Sequence, residues 1–483
     1  MRLKTEDIAR ICAGTVLDGP LDADISSICW DSRTAQPGCM YIAFVGEVQD
    51  GHNFCLEAVR SGARAVLISR TPGVQTQLAL DKAGACTILV DDTLEAMTQL
   101  ARAWRQELRG KVIALTGSSG KTTTKNMVRD VLAHAGTVVA TVANQNNELD
   151  VPATLLAAEL DTDFVVVEMG MRGLGQLAEL CEFVLPDAAL VTNVGTSHME
   201  LLGSQDAIAR AKAEPFSYLV EGQGTAFVNA SDPFAEKLLE YGTIEQRCIS
   251  LVAFDGSGDD EPHTLLGKPA SVYASNVSYD ALGMPSFTLH TPKGSAECVL
   301  QIAGAHNVHN ALAAAALGVW AGLDAQTIAE ALHGSAPAAG RQQLRRATSG
   351  ALIVDDSYNA NPDSMAASLE TFARMDVAGS RIAVLGDMLE LGDYEDEGHA
   401  RIGSLAAQSG LDLLMCVGPR SERIAQAAKQ AGMSEDSIIC VDDAEAALAC
   451  LVPMLHANDA LLVKASHSVG LETIVKGLVD KLV

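Results

Sequence analysis

Residues Lys111 to Thr124 read KVIALTGSSGKTTT, and this stretch decides the fold class. Val112, Ile113, Ala114 and Leu115 form a short apolar run suited to a buried parallel strand. Gly117-Ser118-Ser119-Gly120 follows as a loop, and Lys121 and Thr122 open a segment with Met127, Val128, Val131 and Leu132 on one helical face. Strand, loop and helix in that order make a phosphate cradle. Glycines let the backbone approach an anion, successive N–H groups and the helix N-terminus point at phosphate oxygens, Lys121 reaches the terminal phosphates, and Thr122 offers a hydroxyl to Mg²⁺. The usual pattern has glycine where Leu115 stands. A bland Gly/Ser turn is the competing reading, and the strand before GKT and the helix after it favour the phosphate loop.

Outside this stretch, composition sets limits. The 483 residues have room for about three domains, and with 48% hydrophobic residues sizeable cores can form. A formal charge of -27 argues against non-specific binding to nucleic acid or an anionic membrane, since both need basic surface. The eleven cysteines are odd in number, scattered and never in a CxxC pair, as expected of reduced thiols rather than zinc or a disulfide framework. MRLKTEDIARI lacks the apolar core of a signal peptide, and the apolar stretch from Ala311 to Leu323 is too short to span a bilayer. The chain is expected to stay in the cytoplasm, without membrane insertion.

On the N-terminal side, residues 1–91 read as a small α/β unit. Asp31-Ser32-Arg33 precedes a Gln36-Pro37-Gly38 turn and a strand from Met40 to Phe44; Asp50-Gly51-His52 is a second turn, before a helix from Phe54 to Ser61 and a strand from Ala65 to Ile68. Taken alone, Arg33 and His52 are a surface charge and a turn residue.

On the other side, Asp163 to Val167 reads as a strand ending in Glu168. Ligands collect at the carboxyl ends of parallel strands, so Glu168 either holds Mg²⁺ or caps a helix. A further strand, Ala188 to Val194, leads to His198, and a helix from Ala207 to Phe216 carries Lys212. A lone His or Lys is usually structural or solvated, but at one sheet edge with Lys121 and Glu168 the pair suggests an anion and metal site. From about residue 337, strands Ala351 to Val354, Arg381 to Leu385, Leu413 to Val417 and Ala460 to Val463 alternate with helices at Met365 to Ala373, Ile402 to Gln408 and Ala444 to Leu451. Asp355-Asp356-Ser357-Tyr358 follows the first of these strands in place of a glycine-rich dinucleotide fingerprint, which argues against a nicotinamide enzyme.

TGSSGKTTTK, NNELDVP, EMGM, TNVGTSHMELLGS with IARAKAE, GAHNVHNALAAAA, GRQQ, DDSYNANPDSM and VKASHSVGLE, in this order, resemble the ATP-dependent Mur ligases of peptidoglycan synthesis. The resemblance spans nearly the whole chain. DDSYNANPDSM and the early DSR and DGHNF point, within the family, to the branch that adds D-alanyl-D-alanine to UDP-N-acetylmuramoyl-tripeptide. It implies an α/β protein of three domains: a small α/β N-terminal domain for the UDP-sugar (residues 1–91), a central P-loop parallel-sheet ATPase-like domain (92–336) and a C-terminal doubly wound, Rossmann-like ligase domain (337–483).

The resemblance also assigns roles. Gly117, Ser118, Ser119, Gly120, Lys121, Thr122 and Thr123 would cradle ATP phosphates, with Lys121 on the transferred phosphoryl group. Thr122 and Glu168 would hold one Mg²⁺, and His198 a second together with Lys212, carbamylated by CO₂; a carbamate turns a cation into the oxygen donor that Mg²⁺ requires. Lys121, His198 and Lys212 are thus the expected catalytic residues. Asn307 and Asn310 would lie near the adenine, Arg341 and Asp356 would close on ATP from the last domain, and Ser32, Arg33, Asp50, Gly51 and His52 would hold the UDP-sugar. Asn359, Asn361, Lys464 and Ser466 either meet the incoming dipeptide or serve as turn formers. The chain departs from the family at Asp150, where Gly is usual, and at His467, where Arg is common; the second leaves acceptor preference open.

The implied reaction makes an acyl phosphate from ATP and the tripeptide carboxylate, which the dipeptide amine then attacks. Closure of the last domain on the central one, excluding water, and a monomeric state are expected with it. Two rivals are a sister amide ligase adding a single amino acid, and a P-loop switch without ligation, which leaves His198 and Lys212 without a role.

Overall fold

The computed structural model describes residues 1–259 and 261–479. Its contacts divide the chain into two compact units: Met1–Ala114, Gly136–Gly170 and Ala178–Asp187 in the first, and Leu115–Ala135, Met171–Leu177 and the chain from Ala188 onward in the second.

In the first unit a five-stranded sheet runs in the order Thr15–Asp18, Cys86–Leu89, Ala65–Ile68, Cys39–Ile42, Ser27–Cys29. Neighbours are parallel except for Thr15–Asp18, which runs antiparallel to Cys86–Leu89. Cys39–Ile42 and Ala65–Ile68 are buried along their whole length, as expected of parallel strands covered on both faces. The expected helix from Phe54 is the α-helix Cys55–Ser61, preceded by a 3-10 turn at Gly51–Phe54. The helix Thr93–Glu107 starts at Asp92, whose carboxylate accepts from the N–H groups of Leu94 and Glu95. Its buried face is Ala96, Met97, Leu100, Ala101 and Trp104, spaced three and four apart. Trp104 Nε1 donates to the Ala158 carbonyl at 2.9 Å, pairing the indole N–H in the core. Lys111–Thr116, Phe164–Glu168 and Val138–Ala140 lie side by side in that order.

In the second unit the carboxyl end of Lys111–Thr116 lies beside Ala188–Val191, followed by Thr225–Asn229, Ser250–Asp255 and an antiparallel ribbon of Val272–Tyr279, Pro285–Thr291 and Gly294–Val299. The helix Lys121–Leu132 buries Met127, Val128, Val131 and Leu132, the face expected from sequence. A six-stranded sheet has the order Gln343–Arg346, Leu352–Asp355, Ala460–Lys464, Arg381–Gly386, Leu413–Val417, Ile438–Val441, parallel but for its first strand. Apolar clusters line both of its faces, one around Met365, Leu369 and Phe372, the other around Ile474, Val475 and Leu451. That is the doubly wound arrangement, with Asp356, Asp387 and Ser466 just past the carboxyl ends of three neighbouring strands.

The strand expected from Ala188 to Val194 ends at Val191. Its last three residues turn to other partners: Thr192 Oγ1 donates to the Ser119 carbonyl, the Asn193 carbonyl accepts from Ser118 N, and Val194 N donates to Asp232.

Candidate active site

The phosphate loop is held from below by the segment after Ala188–Val191. Asn193 Oδ1 accepts from Ser119 N at 3.0 Å, Ser118 Oγ accepts from Gly195 N at 2.9 Å, and Ser197 Oγ donates to the Ser118 carbonyl at 3.1 Å. The loop conformation is therefore set before any anion arrives. Gly120 adopts φ +75°, and a Cβ there would meet Asn310 Oδ1 at 2.5 Å, so this position needs glycine twice over. Lys121 Nζ donates to the Gly117 carbonyl at 2.8 Å. Thr122 is buried in the first turn of the helix, and Thr123 follows it there.

Lys212 lies inside Gln205–Ser217, a helix that Ser204 starts by accepting from Ala207 N. Its ammonium is fully buried, and burial, reinforced by the nearby Lys121 charge, pushes its pKa well below the ordinary lysine value. The lowered pKa favours the free amine, which is the nucleophilic form of the side chain. His198 precedes the short helix Met199–Leu202 at φ +64°, with its Nδ1 3.0 Å from Glu390 Oε2.

Glu168 is buried at the end of its strand in the first unit, where Oε1 accepts from Asn146 Nδ2 at 2.9 Å and its backbone N–H donates to Thr141 Oγ1. Asn146 also receives Gly170 N on its carbonyl. Sequence reading quoted this asparagine within NNELDVP without giving it a role; its place beside the strand-end carboxylate is what distinguishes it.

Asn307 and Asn310, expected near the adenine, are buried and engaged with protein. Asn307 Nδ2 donates to the Ala303 carbonyl, Asn310 Nδ2 to Asn307 Oδ1 at 2.8 Å, and Asn310 Oδ1 accepts from Thr124 Oγ1 at 3.0 Å. They join the helix His306–Trp320 to the phosphate-loop helix.

Around the six-stranded sheet, Asp356 is gathered with Lys464, Gln342 and Ser368. Lys464 Nζ also donates to the Asn359 carbonyl at 2.9 Å. Ser466 Oγ accepts from Leu389 N. Arg341 places its guanidinium carbon 4.2 Å from the centre of the Tyr358 ring, and the His467 ring stacks on Tyr358 at 5.2 Å. Asn361 caps the helix Pro362–Arg374 in a reciprocal pair with Ser364, and its Nδ2 donates to Ser197 Oγ at 2.6 Å. Asp363 accepts from Thr196 N and Oγ1 and pairs with Arg401. Asn361 and Asp363 thus tie this region to the segment that carries His198, contacts that no sequence spacing reveals.

In the first unit, Asp31 accepts from Arg33 N and pairs with its exposed guanidinium at 2.6 Å, while Ser32 is buried. His52 is nearly covered: Nδ1 lies 2.7 Å from Asp50 Oδ1, and Nε2 accepts from Ser69 N at 3.0 Å. Nε2 being an acceptor places the ring proton on Nδ1 when the imidazole is neutral. Gly51 opens this turn, with its carbonyl receiving the Tyr41 hydroxyl. Asp50 also pairs with Arg70, and His52, Asn53, Arg70, Thr71 and Thr76 line a cavity of about 240 Å³. Arg70, on the strand-to-helix loop, was missed from sequence.

Among the described residues no three His, Cys, Asp or Glu side chains form a metal cage, and no helix is long and apolar enough to cross a membrane. Mg²⁺ does not need such a cage, because it is held by one or two protein ligands together with waters and substrate phosphates. The Thr122 hydroxyl, the Glu168 carboxylate and the His198 imidazole are each donors of the kind such an ion accepts.

The Mur ligase middle domain matches residues 115–318, the Mur ligase glutamate ligase domain residues 340–467, and the Mur ligase family catalytic domain residues 24–105. The UDP-N-acetylmuramoyl-tripeptide--D-alanyl-D-alanine ligase of Synechocystis sp. is 36% identical over 474 residues, covering 97% of this chain and 95% of the relative. That of Escherichia coli is 34% identical, covering 96% of each. Among solved structures, MurF from Acinetobacter baumannii superposes with a TM-score of 0.84 at 28% identity, over 100% of this chain and 99% of the other. MurF from Thermotoga maritima, solved in complex with ADP, gives 0.75 at 26% identity, over 93% and 96%.

Proposed function

Because this chain belongs to the Mur ligase family, with full-length relatives named UDP-N-acetylmuramoyl-tripeptide--D-alanyl-D-alanine ligase, we propose that its three α/β domains divide the substrates as the site residues suggest. Residues 1–91 take the UDP-sugar, 92–336 take ATP, and 337–483 receive the dipeptide. The enzyme joins D-alanyl-D-alanine to the terminal carboxylate of the tripeptide at the expense of ATP, in the synthesis of peptidoglycan precursor.

The carboxylate of the tripeptide attacks the γ-phosphorus of ATP and releases ADP, giving an acyl phosphate. The dipeptide amine attacks the acyl carbon, and the tetrahedral adduct collapses to amide and phosphate, with the amine proton passing to solvent or phosphate. Most of the catalysis is positioning and charge neutralisation, so the chain contributes cations and oriented N–H groups in place of a nucleophile. The N–H groups from Gly117 to Thr123, held by Asn193 and Ser197, cradle the phosphates. Lys121 leaves the Gly117 carbonyl to meet the transferred phosphoryl group.

Thr122 and Glu168 would hold one Mg²⁺, and His198 with a carbamylated Lys212 would hold a second. So held, Mg²⁺ would supply charge neutralisation at the phosphate oxygens. Asp50 and His52, with Ser32 and Arg33, take the UDP-sugar. The dipeptide meets the strand ends at Asn359, Asn361, Lys464 and Ser466, and Arg341 and Asp356 close on ATP. The reaction is placed in the cytoplasm, in a monomer.

The single observation that carries the site reading is the buried Lys212, its pKa lowered by burial and by the nearby Lys121 charge, at a preformed phosphate loop. The test is phosphate release from Mg²⁺-ATP with UDP-N-acetylmuramoyl-tripeptide, with and without D-alanyl-D-alanine, following the nucleotide product by mass. Release that requires the dipeptide, with a mass gain of the dipeptide less water, is the expected result. Release that ignores both substrates overturns it in favour of a phosphate-loop switch.

A further inference from the structure

His198 is held in a backbone conformation that costs energy, and so is the residue facing it. His198 has φ +64° and Glu390 has φ +61°, both in the left-handed region that side chains other than glycine seldom adopt. Strain of this kind persists where the surroundings over-determine it, and here they do. His198 directly follows the Gly195 to Ser197 segment, which is pinned by Ser118, Asn361 and Asp363. Glu390 sits after Arg381–Gly386, in a loop fixed by Met388 N donating to His399 Nε2 and Leu389 N donating to Ser466 Oγ. The two loops touch directly: a Cβ on Gly392 would lie 2.8 Å from Glu200 Cα.

The outcome is a ring nitrogen beside a carboxylate, at ion-pair distance but off the line of a hydrogen bond. His198 Nδ1 is buried and has Glu390 Oε2 at 3.0 Å, while Arg172 Nε stands 4.0 Å from Glu390 Oε1. The Glu390 side chain is 47% exposed, so the pair adds little to folding stability. An anion beside Nδ1 does something else: it keeps the proton of a neutral imidazole on that nitrogen and leaves the Nε2 lone pair for a ligand. Imidazoles that bind metals are commonly oriented in this way, by a carboxylate on the ring nitrogen away from the ion.

We propose that Glu390 is a positioning residue for His198, fixing the rotamer and tautomer that present Nε2 to the divalent cation at the phosphate site. This rests on the reading of His198 as a Mg²⁺ ligand. It also makes that ligand dependent on the last third of the chain, because the loop that supplies the carboxylate follows a strand of the six-stranded sheet.

The test uses Mn²⁺ as a paramagnetic probe for Mg²⁺, titrated into the full-length enzyme with a non-hydrolysable ATP analogue and followed by electron paramagnetic resonance. Wild type is compared with Glu390→Ala, Glu390→Asp and His198→Asn, and thermal melting checks that each is folded. The expected results are loss of one Mn²⁺ in H198N, affinity for that ion about tenfold weaker in E390A, and partial recovery in E390D. Turnover should show the same pattern as a higher Mg²⁺ requirement in E390A, with little change in kcat at saturating Mg²⁺. Wild-type Mn²⁺ affinity in E390A together with loss in H198N overturns the positioning role and leaves the ligand reading standing. Wild-type binding in H198N overturns both. Should E390A not fold, E390D decides alone: unchanged affinity with its shorter reach counts against the proposal.

Discussion

Lys464 Nζ lies 2.6 Å from Asp356 Oδ2, and the two side chains are only 4% and 11% exposed. Gln342 Nε2 and the Ser368 hydroxyl donate to the same carboxylate oxygen, so the ion pair is the centre of a buried polar network. Taking one partner away leaves the other buried and uncompensated, which costs more than the net worth of the pair. Lys464→Met should therefore destabilise the protein by about 3 kcal/mol, measured as a lower midpoint in thermal or urea denaturation. Adding Asp356→Asn to that variant should recover part of the loss. A single variant as stable as the wild type would mean that Asp356 is solvated.

Gly120 offers a test of the preformed phosphate loop. Alanine there meets both an unfavourable φ and Asn310 Oδ1 at 2.5 Å. The φ term alone is worth about 1 to 2 kcal/mol, and relief of the clash would have to move the loop or the helix His306–Trp320. Gly120→Ala should raise the KM for ATP at least about tenfold, with a smaller effect on the KM for the nucleotide sugar. Equal changes in both would point to general unfolding.

His306 supplies a pH dependence. Burial, outweighing the attraction of Asp356, pushes its imidazole down from 6.5 to about 4. The unfolded chain then binds a proton that the folded one refuses. Stability from this group is complete above about pH 6.5 and is lost as pH falls toward 4, where both forms are protonated. Plotted as wild type minus His306→Gln, the denaturation midpoint should decline across that interval and be flat above it. A difference independent of pH would show that the ring takes up its proton equally in the folded and unfolded chain.

How much of this was legible in the sequence depends on how local the cause is. The strand, loop and helix from Lys111 to Leu132 were readable because apolar run, glycines and helical spacing all occur within one short segment. The same holds for the alternation from Leu352 to Lys464, whose strands are short, apolar and evenly spaced. The antiparallel ribbon from Val272 to Val299 was not read, because its residues alternate between buried and exposed with many Ser, Thr and Asn, as a solvated edge does. Within the site, Lys121, His198 and Lys212 carried a signal in residue type. Asn193, Asp363 and Glu390 did not, since each acts through a hydrogen bond or ion pair to a residue distant in the chain, as Asp363 does with Thr196.

The same distinction separates what Lys212 is from what it becomes. Sequence gives a lysine on a helix; the fold buries it beside Lys121 and lowers its pKa, so the free amine exists at lower pH than for an ordinary lysine. An uncharged buried amine can add to CO₂ and lose a proton, and the resulting carbamate would be an anion suited to pair with Lys121 and with Mg²⁺. Carbon-13 bicarbonate should give a carbonyl resonance in the wild-type enzyme that is absent in Lys212→Arg. Because protonation competes with carbamylation, the signal should weaken as pH falls and the amine regains its proton. Removing CO₂ from enzyme and buffer should lower the ligation rate at least about tenfold, as loss of a metal ligand does, and bicarbonate should restore it. A rate indifferent to bicarbonate, with no carbonyl signal, would leave Lys212 acting as the neutral amine itself.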